Sequence, residues 1–339
     1  MPKKCMRLAS GRAYGSAMLP NTGPPTVRAV EIGSLSDGQL RQAYEVRQAA
    51  HRDAAPIDPF PPYDQWAGLI RHLPPGTRRW HWLAEGGYAD LMKPDSSATG
   101  HVDLRVHPSA RRNGLGSVLL AAVCETAYQG GCERILGRLA DLGSREFARR
   151  KGAAFGNSMI RSLLVLPMPM YPQPVAGYAV TSWTGRAPDA LLASYAVSRN
   201  AITDAPHTEG DVDDVWTPLR VREFEGIVAR RGRQTRVTVV LDGLDVVGFT
   251  ELRVSLDRGV IASTEDTAIA AGCRGIGLAT WIKATSLALL QRDRPDVTGV
   301  ITGNDAMNAA MLAVNQRLGF RPVATWTDAV MLVVHSRQM

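Results

Sequence analysis

Apolar positions along the chain recur with two periods, and the order of those periods repeats. Ser36 can cap a helix over residues 37–52, and residues 64–73 can form a second. A period of two follows at 80–83 (WHWL) and 88–91 (YADL), which predicts a hairpin around Gly86 and Gly87. Further on the order returns. Residues 188–201 read as a helix, Thr217 and Pro218 start another running to about Arg231, and 235–241 with 246–254 form a hairpin around Asp242 and Gly243.

The second hairpin partner in each half leads into the same sequence of events. Residues 101–119 (HVDLRVHPSARRNGLGSVL) and 264–282 (TEDTAIAAGCRGIGLATWI) each give an alternating strand, a basic glycine-rich turn and a helix. Val106 precedes Arg111 by five residues and Ile269 precedes Arg274 by five. From each arginine the pattern is Arg-x-x-Gly-x-small: Arg111, Gly114, Gly116 and Arg274, Gly277, Ala279, an offset of 163 residues. A shorter echo links 52–56 with 202–206. The stripes Leu115, Leu119, Ala122, Thr126 and Leu278, Ile282, Thr285, Leu289 predict amphipathic helices facing a sheet. Between the halves, residues 166–174 hold four prolines in nine positions, a stiff linker. The expected organisation is a flexible segment 1–25, a first domain 26–165, a linker 166–175 and a second domain 176–339.

A strand that feeds a helix through glycines gathers backbone N–H groups at the positive helix end, where a phosphate can approach closely. Neither turn carries the Lys-Ser/Thr of a P-loop or the G-x-G-x-x-G of a dinucleotide fold, and no G-x-S-x-G elbow occurs. Val106 through Gly116, with Arg111, Arg112, Asn113, Gly114 and Leu115, instead resembles the acetyl-CoA signature of the GNAT acyltransferase superfamily. Ile269 through Ala279, with Arg274, Gly275, Ile276, Gly277 and Leu278, resembles the same signature. Asn304, Asn308 and the run from Asn315 to Phe320 resemble the family's next motif, which the first half echoes more loosely at 147–152. The resemblance covers about residues 26–335 as two tandem copies, the arrangement of mycothiol synthases and related actinobacterial acetyltransferases.

What the resemblance implies is an α/β (α+β) fold of two GNAT-like domains, each a mixed, mostly antiparallel sheet flanked by helices and splayed where acyl-CoA enters. The co-substrate would be acetyl-CoA, with no metal. Its pantetheine arm would pair with the backbone near Ala268 and Ile269, its pyrophosphate would sit on the turn at 274–279, and Asn308 would face its arm. Acyl transfer needs a base for the ammonium proton, a stabilised oxyanion and a protonated leaving thiol. Alternation puts Phe249, Glu251 and Arg253 on one strand face. Glu251 resembles the family's base position, and Glu265 and Asp266 are the alternatives. The tyrosine that the family often keeps four residues before its closing glycine is Ala148 in one half and Asn315 in the other, so neither supplies that acid. Eleven residues before the same glycine stand Asp141 and Asn308, which favours the second half as the active one and leaves the first as a degenerate or regulatory copy.

Composition narrows the function further. Apolar residues are 45% and charged residues 21%, a core-forming balance. Of the net +7, residues 1–25 carry +4, which leaves +3 on the rest and argues against a nucleic-acid partner. No run approaches the ~18 apolar residues of a membrane helix. Cys5, Cys124, Cys132 and Cys273 show no zinc spacing, which suits a reduced, cytoplasmic chain, and His101 and His107 have no nucleophile or metal partner at motif spacing. Trp80, Trp82 and Trp281 fall in periodic segments and read as core. The expected partner is a small-molecule amine. The acidic and aromatic segments 56–63 and 204–216, with Asp58, Asp204, Glu209, Asp211, Asp213 and Asp214, suggest a cationic acceptor such as an amino sugar or an amine-bearing natural product. A longer-chain acyl-CoA as donor, or a catalytically silent CoA-sensing role, are the other readings.

Overall fold

The structure is a computed structural model that describes residues 27–168, 172–200, 215–256 and 261–333. The first half runs β1 (Arg28–Glu31), α1 (Asp37–Ala54), α2 (Tyr63–Arg71), β2 (Thr77–Ala84), β3 (Gly87–Pro94), β4 (Thr99–Val106), α3 (Leu115–Gln129), β5 (Arg134–Leu139), α4 (Leu142–Arg150) and β6 (Ala154–Val165). The second repeats it as β7 (Ala179–Thr184), α5 (Asp189–Asn200), α6 (Pro218–Arg230), β8 (Arg233–Asp242), β9 (Asp245–Ser255), β10 (Ile261–Ile269), α7 (Leu278–Asp293), β11 (Gly299–Asp305), α8 (Ala309–Arg317) and β12 (Arg321–Leu332). The caps read from the sequence start these helices. Ser36 and Gln39 close a capping box on α1, and the Thr217 hydroxyl accepts from the Arg220 N–H at 3.2 Å.

Among the described residues, all twelve strands join one sheet in the order β1-β2-β3-β4-β5-β12-β6-β11-β10-β9-β8-β7. Replacing each strand by its counterpart turns this order into its own reverse, so the halves are related by a pseudo-twofold axis between β6 and β12. Those two strands are exchanged. β12 of the second half lies between β5 and β6, and β6 of the first lies between β12 and β11. Helices α3 and α7 cover one face of the sheet, packing Leu115, Leu119 and Val123 in one half and Ala284, Leu287 and Leu290 in the other. Helices α1, α2, α5 and α6 cover the opposite face. The buried stripe of α3 is Leu115, Leu119, Val123 and Ala127, one step off the expected Ala122 and Thr126, because Val123 fills the sheet-facing position better than alanine. Trp82 and Trp281 are buried, as expected of core, and Trp80 is half-buried against the same cluster as Trp82. The proline-rich segment begins by packing. The Leu166 N–H donates to the Thr298 carbonyl at 2.9 Å, and Met168 is buried against α7.

Candidate acyl-CoA clefts

Both turns have the same backbone. Left-handed conformations occur at Arg112 (φ 70°) and Gly114 (φ 81°), and at Gly275 (φ 84°) and Gly277 (φ 96°). Arg112 therefore stands where the second turn uses glycine, a correspondence the sequence pattern did not reveal. Gly114 and Gly277 begin α3 and α7 with no side-chain cap, so the first-turn amides face outward with no capping oxygen over them. The arginines act first on their own strands. Arg111 Nε donates to the Val106 carbonyl at 3.3 Å and its Nη1 meets Asp53 at 2.6 Å, while Arg274 Nε donates to the Ile269 carbonyl at 2.8 Å. Their guanidiniums fix the turn, and the exposed backbone at Asn113 and at Gly275 and Ile276 is what a phosphate would meet.

The sheet opens beside each turn. β4 and β5 pair in parallel only from Thr99 to Val102, and β10 and β11 only from Ile261 to Ser263. Beyond those points the strands part, which leaves 103–106 and 264–269 unpaired on that side. Ala268 and Ile269 thus lie on an open backbone edge. In the first half the gap is a cavity of about 620 Å³ that runs from Gly114 and Gly116 past Leu104, Leu120 and Phe147 to Met331. Met331 belongs to β12, so the exchanged strand closes the first cleft. The halves also differ along the splayed strand: β10 bulges against β9 between Thr264 and Thr267, whereas β3 and β4 pair without interruption.

The amides expected beside the CoA arm are bound within the chain. Asn308 caps α8, accepting from the Met311 N–H at 3.1 Å, just as Asp141 caps α4 by accepting from Ser144 at 2.8 Å. Asn304 accepts from the Asn315 side chain at 2.6 Å. The contrast between Asp141 and Asn308 is thus one between two helix caps, and both residue types serve that position equally.

Glu251 is 1% exposed. Its Oε1 accepts from the Tyr195 hydroxyl and from Arg199, both on α5, and its Oε2 has no hydrogen-bond partner. No acceptor amine can reach it in this arrangement. Arg199 stacks on Trp216, 3.6 Å from the ring centre, and extends Nη2 to Asp266 at 3.3 Å. The first half builds the same cluster. Arg47 of α1 corresponds to Arg199, Asp90 to Glu251 by sheet register, and Asp103 to Asp266 by the 163-residue offset. Arg47 and Arg105 both bind Asp103 at 2.6 Å, and Tyr88 donates to Asp90 at 2.5 Å. Sequence reasoning missed both clusters, although matching α1 with α5 would have paired the arginines.

Burial acts to raise Asp103, but Arg105 and Arg47 outweigh it and hold the carboxyl well below the usual carboxylate range. Asp266 goes the other way. Burial raises it, and Arg199 and Arg253 recover only part of the shift. Its side chain is still 43% exposed at the open edge. Glu265, next to it, is held low, since Arg253 and Arg233 outweigh its burial.

The expected acceptor acids fare differently. Asp58 is not free to receive a cation, because it is buried with Arg161 at 3.3 Å and the Trp326 indole N–H at 3.1 Å. Asp204, Glu209, Asp211, Asp213 and Asp214 lie outside the described residues. Among the described residues no group of three or more His, Cys, Asp or Glu could hold a metal ion, and no helix is long and apolar enough to cross a membrane.

Comparison with known proteins agrees with this architecture. Residues 40–153 match the Acetyltransferase (GNAT) family. A mycothiol acetyltransferase of Salinispora arenicola is 29% identical over 91% of this chain and 98% of its own length. One of Tsukamurella paurometabola is 28% identical over 71% of this chain and 81% of its own. Among solved structures, a tandem GNAT protein from the clavulanic acid biosynthesis pathway superposes with a TM-score of 0.78 at 24% identity, covering 92% of this chain and 100% of its own. Two turns of one design, two splayed clefts in one twofold sheet and relatives that span nearly the whole length lead to one reading: residues 40–153 match the GNAT acetyltransferase family, and the chain as a whole resembles tandem GNAT proteins and the mycothiol acetyltransferases.

Proposed function

We propose that the chain moves the acetyl group of acetyl-CoA to an amine of a small molecule, such as an amino sugar or another natural-product amine, with the chemistry in the second half. The observation that carries this reading is the contrast between the two matched carboxylates. Asp103 is clamped by two guanidiniums, which makes it a poor proton acceptor. Asp266 meets one guanidinium at 3.3 Å and stays partly exposed on the stretch of β10 that β11 leaves unpaired. The β10 bulge accompanies that exposure, as bulges often re-aim a side chain beside an active site.

In this mechanism the pyrophosphate rests on the backbone of Gly275, Ile276 and Gly277, and the pantetheine arm pairs with the open edge at Ala268 and Ile269. Asp266 takes the ammonium proton, and the neutral amine attacks the thioester carbonyl. Backbone N–H groups on the unpaired stretch of β10 receive the oxyanion, an effect worth about 3–4 kcal/mol per donor in comparable sites. Glu251 positions Arg199, which in turn holds Asp266. The first half keeps its turn at Arg111–Gly116 and its cavity, and serves as an acyl-CoA holder without a base.

Gly114 and Gly277 test the division between the halves. Both are left-handed with open space around an added Cβ, and aspartate tolerates that conformation better than most residues. Gly277→Asp sets a carboxylate against the pyrophosphate and should abolish thiol release from acetyl-CoA in an amine panel, while Gly114→Asp should retain most of it. Calorimetry should find one CoA site lost in each variant. A dead Gly114→Asp beside an active Gly277→Asp would place the chemistry in the first half.

A further inference from the structure

Lys283 is a buried cation that the assignments above leave without a role. It lies on the second turn of α7 and is 3% exposed. It makes no hydrogen bond or ion pair among the described residues. Its Nζ lies 5.7 Å from the centre of the Phe320 ring. An unpaired lysine in such a place costs stability, so its presence asks for a reason.

The repeat supplies the position. The offset of 163 residues that superposes the two glycine turns sets Lys283 on Leu120, which lines the first cavity. The matched left-handed glycines that follow α4 and α8, Gly152 and Gly319, likewise set Asn315 on Ala148, another lining residue. Asn315 is 2% exposed, and its Oδ1 has no partner. Where the first cleft is apolar at both places, the matched positions of the second half hold a lysine and an amide whose oxygen has no partner. Helical side chains lean toward the N-terminus, so a lysine one turn beyond Ala279 leans toward the glycine turn and the splayed strands beside it.

We propose that Lys283 is the general acid of the second cleft, delivering a proton to the thiolate as the tetrahedral intermediate collapses. The inference rests on the acetyl-transfer reading and completes its proton balance. Asp266 has taken the ammonium's first proton and passed it to solvent, the new C–N bond has formed, and as the C–S bond breaks the nitrogen gives its second proton to Asp266 while an Nζ proton passes to sulfur. Coenzyme A leaves as the thiol, and neutral Lys283 is recharged from solvent while Asp266 releases its proton there. Burial lowers Lys283 to about 7, and no charged group on α7, α8, β10 or β11 contributes to that shift. At neutral pH the amine can therefore both give and regain a proton.

Lys283→Met keeps the volume and removes the charge. It should fold with an unchanged or higher Tm, bind acetyl-CoA with KM nearly unaltered, and lose about 100-fold in kcat. The acid must be protonated, so wild-type kcat should fall as pH rises above about 7, and that basic limb should vanish in the variant. Lys283→Arg retains a cation that cannot release its proton and should stay slow. Full activity in either variant would overturn the proposal. Wild-type enzyme that turns over no amine of the panel would count instead against acetyl transfer itself. A readout without turnover keeps the two apart. In protein labelled at the lysine ε-carbons, the resonance lost in Lys283→Met should shift when CoA is added and shift less with desulfo-CoA. No difference between the two ligands would set the amine away from sulfur and overturn the proposal.

Discussion

A carboxylate is judged by its partners, and at Glu251 and Asp266 they lead to opposite roles. Glu251 lies under α5, one carboxylate oxygen taken up by Tyr195 and Arg199. Asp266 lies three residues before the end of β10, on the edge where the sheet is open. If Asp266 is the base, activity requires its ionised form, and its raised pKa places the loss of activity at a higher pH than an ordinary aspartate would. Asp266→Asn should lower kcat about 100-fold or more and remove the acidic limb of the pH–rate profile. Glu251→Gln should lower kcat through a loosened Arg199 yet leave that limb in place. A limb that disappears in Glu251→Gln and persists in Asp266→Asn would restore Glu251 as the base. The alternation along β9 placed Glu251 correctly on the face shared with Phe249. What a strand pattern cannot hold is which helix covers that face, and Arg199 comes from 52 residues away in the chain.

The elements were legible wherever the signal was local. Capping serines and threonines, hairpin glycines and the spacing from strand to turn mark α1, α6, the β2–β3 and β8–β9 hairpins and both glycine turns. The exchange of β6 and β12 was not legible, because both strands follow short helices in either half and a period of two carries no partner's identity. The exchange has a direct consequence for the proline-rich segment. A chain cut between residues 168 and 172 would leave the first fragment without the strand between β5 and β6, and the second without the strand between β11 and β12. Each fragment would expose unpaired strand edges, the usual template for aggregation. Either fragment alone should be insoluble or unfolded, and co-expression should return a soluble 1:1 complex by size-exclusion chromatography. A monomeric, folded single fragment would contradict the shared sheet.

Across the whole molecule the halves meet a second time, above the sheet. Helix α2 of the first half rests on the end of α6 of the second, where Arg231 Nε donates to the His72 carbonyl at 2.8 Å. Gly68 makes that contact possible, since a Cβ there would lie 2.7 Å from the Arg231 carbonyl oxygen. The obstacle is backbone on both sides, so the helices must separate to admit even one methyl group. The central strands and the helix contact both couple the halves, and their strengths differ. The β6–β12 pair runs the length of both strands, whereas the helix contact is a single crossing. Gly68→Ala should therefore cost about 1–3 kcal/mol and lower Tm while unfolding remains one calorimetric transition, because the exchanged strands still bind the halves together. Two resolved transitions in the variant would mean that the helix contact, and not the strand exchange, makes the molecule unfold as a unit.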